Sequence, residues 1–129
     1  TGWGGVQKRP NEEIVILVSS LHHIAQQGQP FLFTDSHAYY QWANYYADLN
    51  DLDKIDWALL QRRDFKRDAE DPAKFERYQA EALIHRHVPI TGLLGIVCYT
   101  EALKQDIEQE ILARHLSLPV HVRTGWYFS

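Results

Sequence analysis

Arg77-Tyr78-Gln79-Ala80-Glu81-Ala82-Leu83-Ile84 decides the fold class, because it can be read two ways. Its alternation over residues 78–84 fits a strand, with Tyr78, Ala80 and Ala82 on one face and Gln79, Glu81 and Leu83 on the other. Its Ala, Gln and Glu content favours a helix instead. Taken as a strand, it joins further extended segments on both sides. Upstream, Ile14-Val15-Ile16-Leu17-Val18 is a continuous branched apolar run of the kind buried on both faces, and Phe31-Leu32-Phe33-Thr34 is a second strand. Downstream, Leu93-Leu94-Gly95-Ile96-Val97-Cys98 is a buried strand, and Val120 and Val122 mark a last one before the aromatic end Trp126-Tyr127-Phe128.

Helices fall between these strands. Ser19 or Ser20 caps a short one that Gly28 ends, and Asp35 or Ser36 caps an amphipathic one over residues 37–48 with Ala38, Trp42, Tyr45 and Leu49 on a stripe. Asp56 caps a helix carrying Trp57 and Leu60, Pro72 takes the first position of another, and Thr100 caps one with Leu103, Ile107 and Ile111 on one face. Strands grouped at 14–18, 31–34, 78–98 and 119–128 point to an α+β fold rather than a doubly wound repeat. No glycine-rich nucleotide fingerprint is present, so a Rossmann route to dinucleotides is unsupported.

Composition narrows the function classes. The 129 residues carry a formal net charge of -4, and 45% are hydrophobic, which fits a single globular domain and excludes a disordered chain. The lone Cys98 excludes a disulfide framework and a cysteine zinc cluster, so a reducing, cytoplasmic setting is the default. No apolar run is long enough to span a bilayer, and no membrane partner is expected. Mild acidity argues against sequence-independent coating of nucleic acid but leaves room for a local basic groove. Thr1 at the start and the absence of methionine lead to the expectation that this is a piece of a longer or processed protein.

Four groups of residues can carry chemistry. Gln79 and Glu81, if extended, project to one side about 7 Å apart. There the carboxylate can accept from a sugar hydroxyl and stabilise cationic charge at an anomeric carbon, while the amide orients an acceptor. From spacing alone, a polar surface pair is the better explanation. In the turn Thr34-Asp35-Ser36-His37, His37 can donate to a base or phosphate with Asp35 orienting it, although a helix cap at Asp35 is simpler. His85 and His87 on a strand would face one side, but no third ligand lies at metal spacing, so no metal is expected. His22-His23 is weaker still, since adjacent helical residues diverge by about 100°. Arg62, Arg63, Lys66 and Arg67, interrupted by Asp64 and Phe65, combine with Tyr39, Tyr40, Tyr45 and Tyr46 as charge plus stacking surface for single-stranded nucleic acid, or equally as a solvated face and a core stripe.

In combination the order is more specific. Phe31 to Ala38, Asp48-Leu49, Asp51-Leu52-Asp53-Lys54-Ile55-Asp56-Trp57, Arg77 to Ile84 and the terminal Trp126-Tyr127 resemble the DarT family of DNA ADP-ribosyltransferase toxins over roughly residues 14–128. The resemblance implies an ADP-ribosyltransferase-like central sheet flanked by helices, NAD as substrate, thymine in single-stranded DNA as acceptor, and a DarG-type macrodomain antitoxin as partner. It implies that Glu81 is the catalytic carboxylate, gripping the nicotinamide ribose and stabilising the oxocarbenium ion. Gln79 and Arg77 would lie on the substrate-side loop, with Arg77 alternatively on a phosphate, and His37 and Asp35 in the turn that meets DNA or cofactor. Two positions depart from the family's pattern: Ser36 stands where it has Gly, and Ala82 where it has Phe. The family's N-terminal portion, with an early His and an Arg-bearing segment that hold NAD, has no counterpart, so residues 1–129 are expected to form a single partial domain with most cofactor-binding groups outside it. Two other readings remain: a non-catalytic remnant that binds nucleic acid or a partner, and an RNA-directed NAD-dependent transferase akin to the tRNA 2′-phosphotransferases. The second ranks lower because residues 51–57 and 79–81 resemble the DNA-modifying toxins better.

Overall fold

The computed structural model describes residues 7–39, 41–63, 68–71 and 73–127. In chain order its elements are β1 (Ile16–Val18), α1 (Leu21–Gln26), β2 (Phe31–Thr34), β3 (Tyr45–Tyr46), α2 (Trp57–Arg62), α3 (Lys74–Arg77), β4 (Ala82–Ile84), β5 (Gly95–Cys98), α4 (Glu101–Ala113) and β6 (Val120–Val122). They divide between two compact units, one formed by the chain up to His23 and from Pro89 onward, the other by Ile24–Val88. The α+β reading holds, with the strands in two three-stranded sheets, β1-β5-β6 and β3-β2-β4. No described helix is long and apolar enough to cross a membrane.

In the first unit, β1 pairs antiparallel to β5 and β6 pairs parallel to it, with Ile16 opposite Val97 and Ile96 opposite Val120. A parallel pair needs a crossover, and α4 supplies it. Val97, Cys98 and Val120 form the buried centre. Burial pushes the Cys98 thiol up from its usual range. The expectation of a strand buried on both faces at residues 14–18 is corrected: β1 is an edge strand, and Leu17 is 59% exposed. Tyr127 has a defined task, since its hydroxyl donates to the Ile14 carbonyl at 2.7 Å and its ring meets Tyr99 edge-on.

The termini of α4 follow local chemistry. Thr100 Oγ1 accepts from Leu103 N at 3.1 Å, as its N-cap position requires. At the other end His115 adopts φ 55, while His115 N donates to Leu112 O and Leu116 N to Ile111 O, which closes a Schellman turn. Thr100→Ala is expected to cost about 1 kcal/mol in a denaturant melt; an unchanged midpoint would deny the cap any role.

In the second unit, β2 is the central strand. Phe31, Leu32 and Phe33 face Ile84, Leu83 and Ala82, while Phe33 and Thr34 face Tyr46 and Tyr45. Phe33, Ile55 and Leu59 are buried here, and the Phe33 ring stacks on Tyr46 at 5.4 Å. Asp56 caps α2, its Oδ1 accepting from Leu59 N at 3.1 Å. The apolar anchor of α2 is Leu59, fully buried, while Trp57 is half-exposed and donates from Nε1 to Leu52 O. Upstream, Ser20 caps α1, and Gly28 ends that helix at φ 72.

Three expectations in this unit are corrected. Residues 37–48 are not a helix: Tyr45 and Tyr46 find ladder partners on β2, and Asp35 engages Asn44 rather than a helix N-terminus. Tyr39, Tyr45 and Tyr46 therefore do not stand on a helix before the basic stretch. The alternating strand starts at Ala82, because Tyr78 and Gln79 form the turn that leaves α3. Finally, His85 and His87 lie past the end of β4, where Arg86 turns the chain at φ 69. Among the described residues no group of three or more His, Cys, Asp or Glu is placed to hold a metal. Tyr40, Lys66, Arg67, the proline start at Pro72 and Phe128 lie outside the described residues.

Candidate active site

The site is built on Thr34, the last residue of β2, which is fully buried. A buried hydroxyl must find partners for its proton and its lone pairs. Thr34 Oγ1 donates to the Ser36 carbonyl and accepts from Glu81 N at 3.2 Å. Thr34 N meanwhile donates to Glu81 O at 2.9 Å. Both main-chain groups of Glu81 are thus held by one threonine, although Glu81 itself precedes β4. Its side chain is half-buried, and Oε1 accepts from Ala38 N at 3.2 Å. Among the described residues its Oε2 carries no hydrogen bond, so a carboxylate on a fixed backbone retains a free acceptor. Such a group can grip a hydroxyl and set negative charge against a developing cation.

Asp35 acts as a clasp. Its Oδ1 accepts from Asn44 N at 3.0 Å and its Oδ2 from Asn44 Nδ2 at 2.8 Å, closing the loop 35–44. Desolvation first, and then the Asp35 carboxylate, raise the Tyr46 phenol above its ordinary pKa. Within the loop, His37 Nδ1 accepts from Tyr39 N at 3.0 Å, and the two rings meet edge-on. An accepting Nδ1 puts the proton of the neutral ring on Nε2, which becomes the donor.

Arg77, at the end of α3, is clamped between two acids. Its Nε donates to Asp56 Oδ2 at 3.0 Å, and its two terminal nitrogens donate to the two oxygens of Asp71 at 3.0 and 2.6 Å. The fork geometry is the bidentate one that arginine favours. Because Asp56 also caps α2, the clamp joins α2 to α3 just ahead of Glu81. The hydrogen bonds from Arg77 hold the Asp71 carboxyl below its usual range, burial opposing them. A carboxylate depressed in the folded state stabilises fully above its unfolded pKa of about 3.9 and loses that contribution as pH falls through its lower folded value. Asp71→Asn is therefore expected to flatten the acid limb of the melting-temperature profile below about pH 4, and an unchanged limb in this variant would deny the clamp.

The structure brings Asp35, His37 and Glu81 to one loop–strand junction. It does not set Gln79 and Glu81 on one strand face, since Gln79 lies in the preceding turn. Gln79 Oε1 is buried and accepts no hydrogen bond among the described residues. The sequence places Thr34 in the turn at 34–37 without showing that it seats Glu81, and it does not single out Asn44. A polar residue closing the apolar run Phe31-Leu32-Phe33 was the one available sign of Thr34, and nothing in the periodicity pointed to Asn44.

Comparison with known proteins gives concordant results. A family model described as "DarT: ssDNA thymidine ADP-ribosyltransferase" matches residues 2–128. The chain is 61% identical over 129 residues to a DNA ADP-ribosyl transferase of Escherichia coli O127:H6, covering all of this chain and 59% of that relative. Among solved structures, Thermus sp. 2.9 DarT in complex with NAD+ superposes with TM-score 0.80 at 27% identity, over 99% of this chain and 62% of that one. The same protein in complex with ADP-ribosylated ssDNA gives 0.79 at 28% identity, over 91% and 56%. The chain thus spans about three-fifths of the length of the curated relative it matches at 61% identity.

Proposed function

We propose, from the premise that this chain belongs to the DarT family of ssDNA thymidine ADP-ribosyltransferases, that the full-length protein transfers ADP-ribose from NAD to thymidine in single-stranded DNA. The observation that carries this reading is the seat of Glu81: backbone fixed by Thr34, one carboxylate oxygen on Ala38 N, the other open. The nicotinamide–ribose bond breaks with its electron pair leaving on nicotinamide, and positive charge gathers on the anomeric carbon. Glu81 grips the ribose hydroxyls and stabilises that charge. A thymine ring nitrogen then bonds to the anomeric carbon, and its proton passes to a carboxylate or to water.

Around this centre, His37 meets the DNA or the cofactor from the loop that seats Glu81, and Gln79 offers its buried amide oxygen to substrate. Arg77 and Asp35 act through position, because their polar groups already hold Asp56, Asp71 and Asn44. We take residues 1–129 as part of one transferase domain, with most NAD-holding groups elsewhere in the protein. The partner that fits a DNA-modifying toxin is a DarG-type macrodomain antitoxin, and we take the reaction to be cytoplasmic.

The test incubates full-length protein with NAD and thymidine-containing single-stranded oligonucleotides. ADP-ribose is expected on thymidine, only with NAD present. Modification of RNA alone would shift the reading to the RNA-directed transferases, and NAD binding without any transfer would remove the enzyme reading.

A further inference from the structure

The loop that seats the Glu81 carboxylate also displays the most exposed aromatic ring of the described chain. Tyr39 is 84% exposed, Trp42 62% and Tyr45 51%. Exposed rings concentrated in one short loop are unusual on a folded surface and mark contact sites. Asp35 fastens Asn44 at the far end of this loop. The loop is also wired to the carboxylate: the Tyr45 hydroxyl donates to Ala38 O at 2.7 Å, and Ala38 N donates to Glu81 Oε1. One residue therefore separates the Tyr45 phenol from Glu81.

Charge decides what the rings can take. Residues 35–46 contain no lysine or arginine, and their one formal charge at neutral pH is the Asp35 carboxylate. A phosphate backbone finds nothing there to neutralise it. Nucleobases, uncharged and flat, stack on aromatic faces whatever their sequence.

We propose that Tyr39 and Trp42 form a base-stacking platform beside Glu81 that holds the nucleotides flanking the acceptor base, contributing affinity through bases and not through phosphates. The platform rests on the reading of single-stranded DNA as substrate, and it adds where and how the strand is held. The sequence pairs the aromatic rings with a basic stretch, and the platform needs only the rings. The Asp35–Asn44 clasp fixes the two ends of the segment that carries the rings.

The test measures binding of full-length protein to a thymidine oligonucleotide and to an abasic strand of equal length, without NAD, at two salt concentrations. Trp42→Ala and Tyr39→Ala are each expected to weaken binding of the base-bearing strand about tenfold. The slope of log Kd against log salt should stay as in the parent, because no counterion release is lost. Neither variant should weaken the abasic strand further, and Trp42→Phe, which keeps a ring, should recover most of the loss. Leu112→Ala, an exposed leucine on α4, serves as control. Equal losses on both strands, or a flatter salt slope, would overturn the platform. A lowered melting temperature with unchanged base-dependent affinity would assign the rings to the interior of the longer protein and overturn it too. Base-dependent binding in a parent that transfers no ADP-ribose keeps the platform and sinks the transferase reading, whereas transfer with unaltered binding in both variants does the reverse.

Discussion

Glu81→Gln in the full-length protein is expected to lower kcat for ADP-ribose transfer about a hundred- to a thousandfold. Glutamine keeps the side-chain length and an oxygen for Ala38 N, so the loop should hold its shape. What it loses is the negative charge, and charge matters most when the anomeric carbon turns cationic. The effect should fall on kcat, with KM for NAD and DNA changed little, which is the signature of an interaction made in the transition state. Glu81→Ala removes the charge and the contact to Ala38 N together, and should not be much worse. A glutamine variant within about tenfold of the parent, a gap of about 1.4 kcal/mol, would show that the carboxylate is not the catalytic group.

The second large effect concerns Thr34. Valine has nearly its shape but neither donor nor acceptor, and Thr34→Val leaves the buried Ser36 carbonyl and the part-buried Glu81 N–H without the hydroxyl. Leaving the buried carbonyl unsatisfied should cost about 1–3 kcal/mol of stability. Activity should fall further than the melt accounts for at temperatures where the variant is folded, because the carboxylate loses its fixed base. Thr34→Ser restores the hydroxyl and is expected to rescue activity while giving up the methyl contact. If serine and valine behave alike, Thr34 is a packing residue and nothing more.

Elements anchored by local chemistry were legible in the sequence. The caps at Ser20, Asp56 and Thr100 each hold the backbone N–H that their positions predict, and Phe31–Thr34 is a strand over the expected span. The failures share a cause. Residues 37–48 carry apolar side chains at helical spacing, yet tertiary pairing of Tyr45 and Tyr46 with β2 prevails over that pattern. The run at 14–18 looks doubly buried because hydrophobicity does not report whether a strand is central or on an edge. At the candidate site, the sequence singles out Glu81 but not the groups that seat it. Thr34 and Glu81 are 47 positions apart, and no periodicity links a hydroxyl to a main-chain N–H across that distance. The Arg77 clamp escaped for the same reason, since one of its acids, Asp56, lies 21 positions away.

The double tie between Thr34 and Glu81 also bears on the register of the sheet. A slip of one residue in the pairing of β2 with β4 would turn every following side chain to the opposite face. The threonine closes the end of that ladder and indexes the glutamate against β2 instead of against the connection that precedes it. The connection before Glu81 has its own tie, the Arg77 clamp on Asp56 and Asp71, so the carboxylate and the connection are anchored separately. The place of the Glu81 carboxylate is thus set by the sheet, at a hydroxyl 47 positions earlier in the chain, and not by its neighbours in sequence.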